Sequence, residues 1–234
     1  MKLLEVKDLN ISIAGEKVLE HISFELDEGT VMAIIGPNGA GKTVLLKALL
    51  GLQPYSGEIV WNKDVKRGYV PQRMDIETDV PLTVREFFSL RGRGIGKEKI
   101  FEALDSVHLS RDILKSGFGE ISVGQRQRVL VAWAILGGPD LLLFDEPTAD
   151  IDIAGQESIY NMLYALQKNM GLTIIVVSHD LNVVFKHAHN VLCLNKKNLC
   201  FGSPRHVLTT EQLLGLYGGE QAFFEHKHAD AHKH

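Results

Sequence analysis

The sequence predicts an α/β fold in which an N-terminal antiparallel β subdomain leads into a parallel sheet that carries an inserted α-helical subdomain. Three observations carry this. The first thirty residues alternate apolar and polar over short stretches; later stretches are continuous apolar runs of strand length; and helix-patterned segments separate those runs.

Each element follows in order. "LLEVKDLNISI" and "KVLEHISFELDEG" alternate and read as antiparallel strands. "VMAIIG" is apolar throughout, as suits a strand buried on both faces, and "TVLLKALLGL" follows with helical leucine spacing. "PYSG" is a turn, after which "EIVW" and "RGYVPQ" return to strand. The texture changes at Pro81. "LTVREFF" has Thr83 followed three residues later by Glu86, the pattern of a capping box, and "RGRGIG" breaks the helix it starts. "KEKIFEALDSVHL" places Ile100, Leu104 and Val107 on one helical face, so residues 81–125 read as a helical insertion. The remainder alternates between strand and helix in "DLLLFDEP", "QESIYNMLYALQ" and "LTIIVVSH", which implies crossover helices on a parallel sheet. One domain is expected over 1–220, followed by a histidine-bearing tail at 221–234.

Bulk properties exclude several classes. Lys and Arg number 25 against 29 Asp and Glu, a net charge of −4, and proteins held on nucleic acid by bulk charge are basic. The longest apolar runs, "VLVAWAIL" and "TIIVV", are far shorter than a membrane helix requires. Charges interrupt "MKLLEVKDLN" too early for a secretory signal. With no export signal, Cys193 and Cys200 are expected to be reduced, core-packed thiols.

The chemistry begins with "GPNGAGKT" at 36–43, a G-x-x-x-x-G-K-[ST] loop between a buried strand and a helix. Gly36, Gly39 and Gly41 let the backbone wrap closely around phosphates, with Pro37, Asn38 and Ala40 completing the loop. The helix N-terminus adds partial positive charge. Lys42 can reach the β- and γ-phosphates, and the Thr43 hydroxyl can ligate Mg²⁺. "LLLFDEP" then delivers Asp145 to a C-terminal strand edge as a second magnesium contact. Glu146 beside it is placed to take a proton from an attacking water. "ISVGQRQR" opens a helix at which Ser122 and Gly124 offer free N–H groups to an anion, a second anion site that makes sense if it serves the nucleotide of another copy. "VVSHD" puts His179 at the end of a further buried strand, within reach of a γ-phosphate.

The ordered set of the loop at 36–43, Gln72 in "VPQR", "ISVGQ" at 121–125, "LLLFDE" at 141–146, "TADID" at 148–152 and His179 resembles the nucleotide-binding subunits of ABC transporters over nearly the whole chain. The resemblance implies a P-loop NTPase that hydrolyses ATP with Mg²⁺. It also implies a head-to-tail homodimer on ATP binding, with Ser122, Gly124 and Gln125 of one copy facing the phosphate loop of the other. It makes Glu146 the base, His179 the γ-phosphate contact, Gln72 a magnesium or water contact and Asp152 a contact across the dimer. Its other implications are an integral membrane permease docked on the helical insertion, no nucleic acid partner, and a peripheral position on the cytoplasmic side of the cell (inner) membrane. Arg85, Phe87 and Phe88 are the candidate docking residues or, equally, core. Two departures stand out: Ile121 and Val123 replace two residues of the usual Leu-Ser-Gly-Gly-Gln, and Ile13 stands where the family often stacks an aromatic ring on adenine.

"GYVPQRMDIETDVPLTVREFF", "IDIAGQESIYNMLYAL" and "VLCLNKKNLCFGSP" carry a finer similarity to the ATPase subunits of zinc and manganese uptake systems, the zinc ones above all. That implies an extracytoplasmic metal-binding protein in the same system; manganese or other cargo, or a soluble ATPase of iron–sulfur cluster assembly, are the alternatives. In the tail, His226, His228, His232 and His234 with Glu225 and Asp230 suit Zn²⁺. A weak regulatory or buffering metal site, a solvated end and an added segment are its three readings.

Overall fold

The computed structural model describes residues 1–72, 74, 80–92, 95–147 and 151–217. The tail at 221–234 and residues 148–150 of "TADID" therefore lie outside the described residues.

Strands β1 (Lys2–Ile13) and β2 (Glu16–Asp27) pair antiparallel, and β4 (Ser56–Trp61) pairs antiparallel with β1 on its other side. This is the N-terminal β subdomain. Its inner face holds Leu4, Val6, Leu9, Ile22 and Phe24, the positions the alternation in sequence selects. The core sheet runs β8 (Asn190–Asn195), β3 (Val31–Ile35), β7 (Thr173–Val177), β6 (Leu141–Phe144), β5 (Arg67–Val70), all parallel. β3, β6 and β7 are buried at every residue because layers cover both faces, which is why they read as unbroken apolar runs. β9 (Lys197–Gly202) turns back antiparallel on β8 and meets β2 in one parallel bridge, so a single nine-stranded order joins the two sheets.

Helix α1 (Lys42–Leu49) packs under the β subdomain with Leu45, Leu46 and Leu49 buried. The insertion comprises α2 (Val84–Ser89), α3 (Lys97–Ser106), a 3₁₀ turn at Arg111–Lys115 and α4 (Val123–Ile135), whose later half reaches the sheet. α5 (Ile153–Met170) and α6 (Leu181–His187) are the crossover helices, and α7 (Pro204–Val207) and α8 (Thr210–Tyr217) close the described chain. Among the described residues no helix is long and apolar enough to cross a membrane.

The capping box at Thr83 is formed. Its Oγ1 accepts from Glu86 N–H at 3.2 Å, and Glu86 Oε2 accepts from Thr83 N–H at 2.8 Å. Thr83→Ala should cost about 1 kcal/mol, seen as a melting temperature lower by a few degrees in calorimetry, without a change in nucleotide affinity.

One expectation is corrected here, and one pair of alternatives is resolved. Cys193 and Cys200 face each other across the β8–β9 hairpin with Cα atoms 4.8 Å apart, and they are joined as a disulfide. The hairpin register brings the two sulfurs together, a pairing that spacing alone does not reveal. Both are also buried, so the core-packing half of the expectation holds. Phe87 and Phe88 are core residues, Phe87 packed with Phe88, Phe118 and Trp133, so neither is available to a docked partner. Arg85 is exposed, as is Leu90.

Candidate functional site

β3 ends at Ile35 and the chain enters the loop through Gly36. Gly41, at φ 94°, turns it into α1, so Lys42 and Thr43 sit in the helix's first turn with their N–H groups directed along the axis. The loop lines an open cavity of about 420 Å³ together with Val18, Gln72 and Glu146. Asn38, Gly39, Ala40, Gly41, Lys42 and Thr43 all face it. The Lys42 ammonium donates to the carbonyls of Gly36 at 2.9 Å and Pro37 at 3.0 Å. Burial pulls its pKa down, and the neighbouring Glu146 and Asp145 oppose that shift.

Asp145 and Glu146 leave the end of β6 in different environments. Asp145 is 3% exposed, and burial pushes its carboxyl above the usual carboxylate range. Hydrogen bonds from the Thr43 hydroxyl and from Tyr69, whose Oη is 3.4 Å away, work against that shift. Tyr69 in turn is pushed up to about 12 by burial and by Asp145. Two oxygen donors in contact, one a buried carboxylate, fit Mg²⁺, a hard cation that takes a few protein oxygens and keeps several waters.

Glu146 is the hub. Its backbone sits at φ 48°, a left-handed conformation uncommon for a non-glycine residue. One carboxylate oxygen accepts from His179 Nε2 at 2.6 Å, and the other from the Gln72 amide at 2.6 Å. The Lys42 ammonium lies 3.5 Å away. Three residues far apart in sequence thus converge on one carboxylate, Gln72 and His179 from loops and Lys42 from the first turn of α1, at the C-terminal edge of the parallel sheet, where α/β folds place ligands. Gln72 therefore stands with Glu146 and not, in this geometry, on Asp145.

The remaining predicted residues lie elsewhere. Ser122 caps α4: its Oγ accepts from Gln125 N–H at 3.2 Å, and Gln125 Oε1 accepts from Ser122 N–H at 3.0 Å. Among the described residues, none of 121–125 lines the cavity. No atom lies within 4 Å of where a Cβ on Gly124 would stand, and Val123 is exposed, so this helix start offers open backbone to something outside the chain. Asp152 caps α5, accepting from Gly155 N–H at 2.9 Å. Ile13 is exposed and does not line the cavity; Val18 provides its aliphatic wall. Val18 and Tyr69 escaped the sequence reading because a valine and a tyrosine in strands carry no motif.

A glycine loop that presents N–H groups and a lysine, a buried aspartate beside a threonine, and a glutamate held between His179 and Gln72 define a P-loop nucleoside triphosphatase. The family model described as ABC transporter matches residues 19–149. The zinc import ATP-binding protein ZnuC of Pasteurella multocida (strain Pm70) is 38% identical over 100% of this chain and 89% of its own length. The protein of the same name from Haemophilus influenzae is 37% identical over 97% and 85%. Among solved structures, a metal-chelate type ABC transporter in an inward-facing conformation aligns with TM-score 0.82 and 30% identity, covering 92% of this chain and 89% of that one. An ATP-binding cassette in its ADP conformation shares the fold at TM-score 0.79 and 22% identity. The chain belongs to the ABC transporter family, of which it is an ATP-binding, ATP-hydrolysing member.

Proposed function

We propose that this protein is the ATP-hydrolysing subunit of a zinc importer. The observation that carries the reading is full-length similarity to zinc import ATP-binding proteins, supported by the convergence of Gln72 and His179 on Glu146. Lys42 and the loop amides bind the triphosphate, and Glu146 accepts a proton from the attacking water. His179 orients the carboxylate from one side and Gln72 from the other. Mg²⁺ would be held by Thr43 and Asp145, with Gln72 able to approach it, and would supply charge neutralisation between the β- and γ-phosphates.

Two copies pair head to tail on ATP binding, which gives the open start of α4 its ligand and places Ser122, Gly124 and Gln125 against the partner's triphosphate. Asp152 then faces the partner copy. A membrane permease docks on the helical insertion, holding the subunit peripherally at the cytoplasmic face of the inner membrane, and an extracytoplasmic metal-binding protein delivers the cargo. The tail's His226, His228, His232 and His234 supply imidazole ligands of the kind that suit Zn²⁺, and a weak regulatory or buffering site is the role we assign them.

Whole-cell elemental analysis tests the cargo. In metal-poor medium, cells carrying Glu146→Gln should show a selective, severalfold fall in zinc relative to wild type. A selective fall in manganese would change the cargo and leave the importer; unchanged metals, with ATPase activity shown to be lost, would remove the metal assignment.

A further inference from the structure

Five polar or charged side chains are buried among the described residues: Lys42, Gln127, Asp145, Thr173 and Ser178. Lys42 and Asp145 belong to the phosphate site, and Thr173 accepts from Gly29 N–H at 3.0 Å. Ser178 stands out by position, because it is the residue immediately before His179. Its Oγ lies 2.9 Å from the hydroxyl of Tyr160, with both residues at most 2% exposed. The same Oγ accepts from Asp180 N–H at 3.1 Å. Asp180 in turn caps α6, accepting from Asn182 and Val183 N–H, and Ser178 N–H donates to Ile34 of β3 at 3.1 Å.

The segment carrying His179 is therefore pinned by three elements: the sheet through Ser178 N–H, α6 through Asp180, and α5 through the Tyr160 hydroxyl. The His179 side chain is itself 44% exposed, so little packing around the ring fixes it. Its 2.6 Å contact with Glu146 depends on where the backbone at 178–180 is held. α5 is a fixed support for that purpose. Arg128 of α4 donates to Ser158 Oγ at 2.8 Å and to the Val107 carbonyl at 2.6 Å, clamping α5 to the helical layer two residues before Tyr160.

We propose that Tyr160 is a positioning residue for ATP hydrolysis, holding His179 on Glu146 through its buried hydrogen bond with Ser178. A phenylalanine would fill the same apolar space. The hydroxyl is useful only because a buried partner satisfies it, and burying one without a partner is unfavourable. The inference rests on hydrolysis at Glu146 and is independent of the cargo.

The test is single-turnover hydrolysis of radiolabelled ATP, which keeps slow variants on scale, in wild type, Tyr160→Phe, His179→Ala and the double variant. Tyr160→Phe should lower the hydrolysis rate about tenfold, the factor equivalent to one net hydrogen bond, with the KM for ATP within about twofold because phosphate-loop contacts are untouched. In the His179→Ala background the same change should have no further effect, since a residue that acts through His179 has nothing left to position. Ser178→Ala is the second probe and should show the same dependence on His179. A full wild-type rate in Tyr160→Phe would overturn the proposal, as would an equal loss in the presence and absence of His179, which assigns Tyr160 to general packing. If Tyr160→Phe lowers the folded fraction, the Ser178→Ala pair decides by the same criterion. Turnover by wild type in this assay separately checks the ATPase reading on which the inference stands.

Discussion

Glu146→Gln should leave a protein that binds Mg-ATP and scarcely hydrolyses it. A positioned general base contributes about 10² to 10⁴ in rate, and the single-turnover rate should fall by that factor. The amide cannot take the proton of the attacking water. It also disrupts the arrangement that holds the group, because Glu146 accepts from two donors, Gln72 Nε2 and His179 Nε2, one on each oxygen. Glutamine keeps one accepting oxygen and sets an NH₂ group against the other donor. Binding survives for a different reason. In the proposed site the loop amides and Lys42 take the phosphates, and Lys42 is held mainly by the carbonyls of Gly36 and Pro37, with Glu146 a longer 3.5 Å contact. Fluorescent-nucleotide titration should give an affinity close to wild type. Substantial turnover in the variant would remove Glu146 from the role of base.

The parts of the fold that could be read from the sequence are those in which local pattern and global environment agree. β3, β6 and β7 are buried on both faces and carry apolar residues at every position. β1 and β2 have one covered face and alternate. At Thr83 and Ser122 the same two-way exchange of hydrogen bonds starts a helix, and both sequences carry the S/T-x-x-E/Q spacing. Residues 181–217 gave weaker signals. α6 and α7 are short, and their stability comes from packing, α6 against α5 and α7, and α7 against β8 and β9, more than from an amphipathic stripe of their own.

The site divides along the same line. Phosphate-loop chemistry is written in consecutive residues because one turn of backbone must wrap the phosphates. The convergence on Glu146 is a tertiary fact: Gln72 and His179 reach it from 74 and 33 residues away. Phe87 and Phe88 show the limit from the other side. Two adjacent aromatics in an insertion can face a partner or a core, and the rings of Phe118 and Trp133 around Phe87 determine which. The cysteine pair shows it again, since only the register of β8 against β9 sets Cys193 opposite Cys200.

Gly36→Ala should abolish nucleotide binding, by at least the order of 10²-fold, although it adds one methyl group to a residue that does not itself line the cavity. A Cβ at Gly36 would stand 2.0 Å from the carbonyl oxygen of Leu194 and 3.1 Å from its carbonyl carbon, with Ala40 Cβ 3.3 Å away on the other side. A flexible side chain could yield to such a contact; Leu194 presents backbone. It is the next-to-last residue of β8, is fully buried, and pairs with Asn198 of β9 just past a shift in the ladder, while Leu192 and Cys193 before it pair with β3. The sheet cannot give way without loss of its ladder, so the phosphate loop must move. That movement also breaks the bond from Lys196 N–H to the Ala40 carbonyl, 3.2 Å, which ties the hairpin tip to the loop. Gly51→Ala provides the contrast. Gly51 has φ 76° but nothing within 4 Å of its added Cβ, so the cost is the left-handed backbone alone, about 1 to 2 kcal/mol, in stability and not in affinity. Nucleotide titration and thermal melting of the two variants separate the cases: Gly36→Ala should lose binding in protein that remains largely folded, and Gly51→Ala should melt earlier and bind as wild type. Wild-type affinity in Gly36→Ala would mean that the loop tolerates displacement from β8, and that contact with the sheet does not set its phosphate-binding geometry.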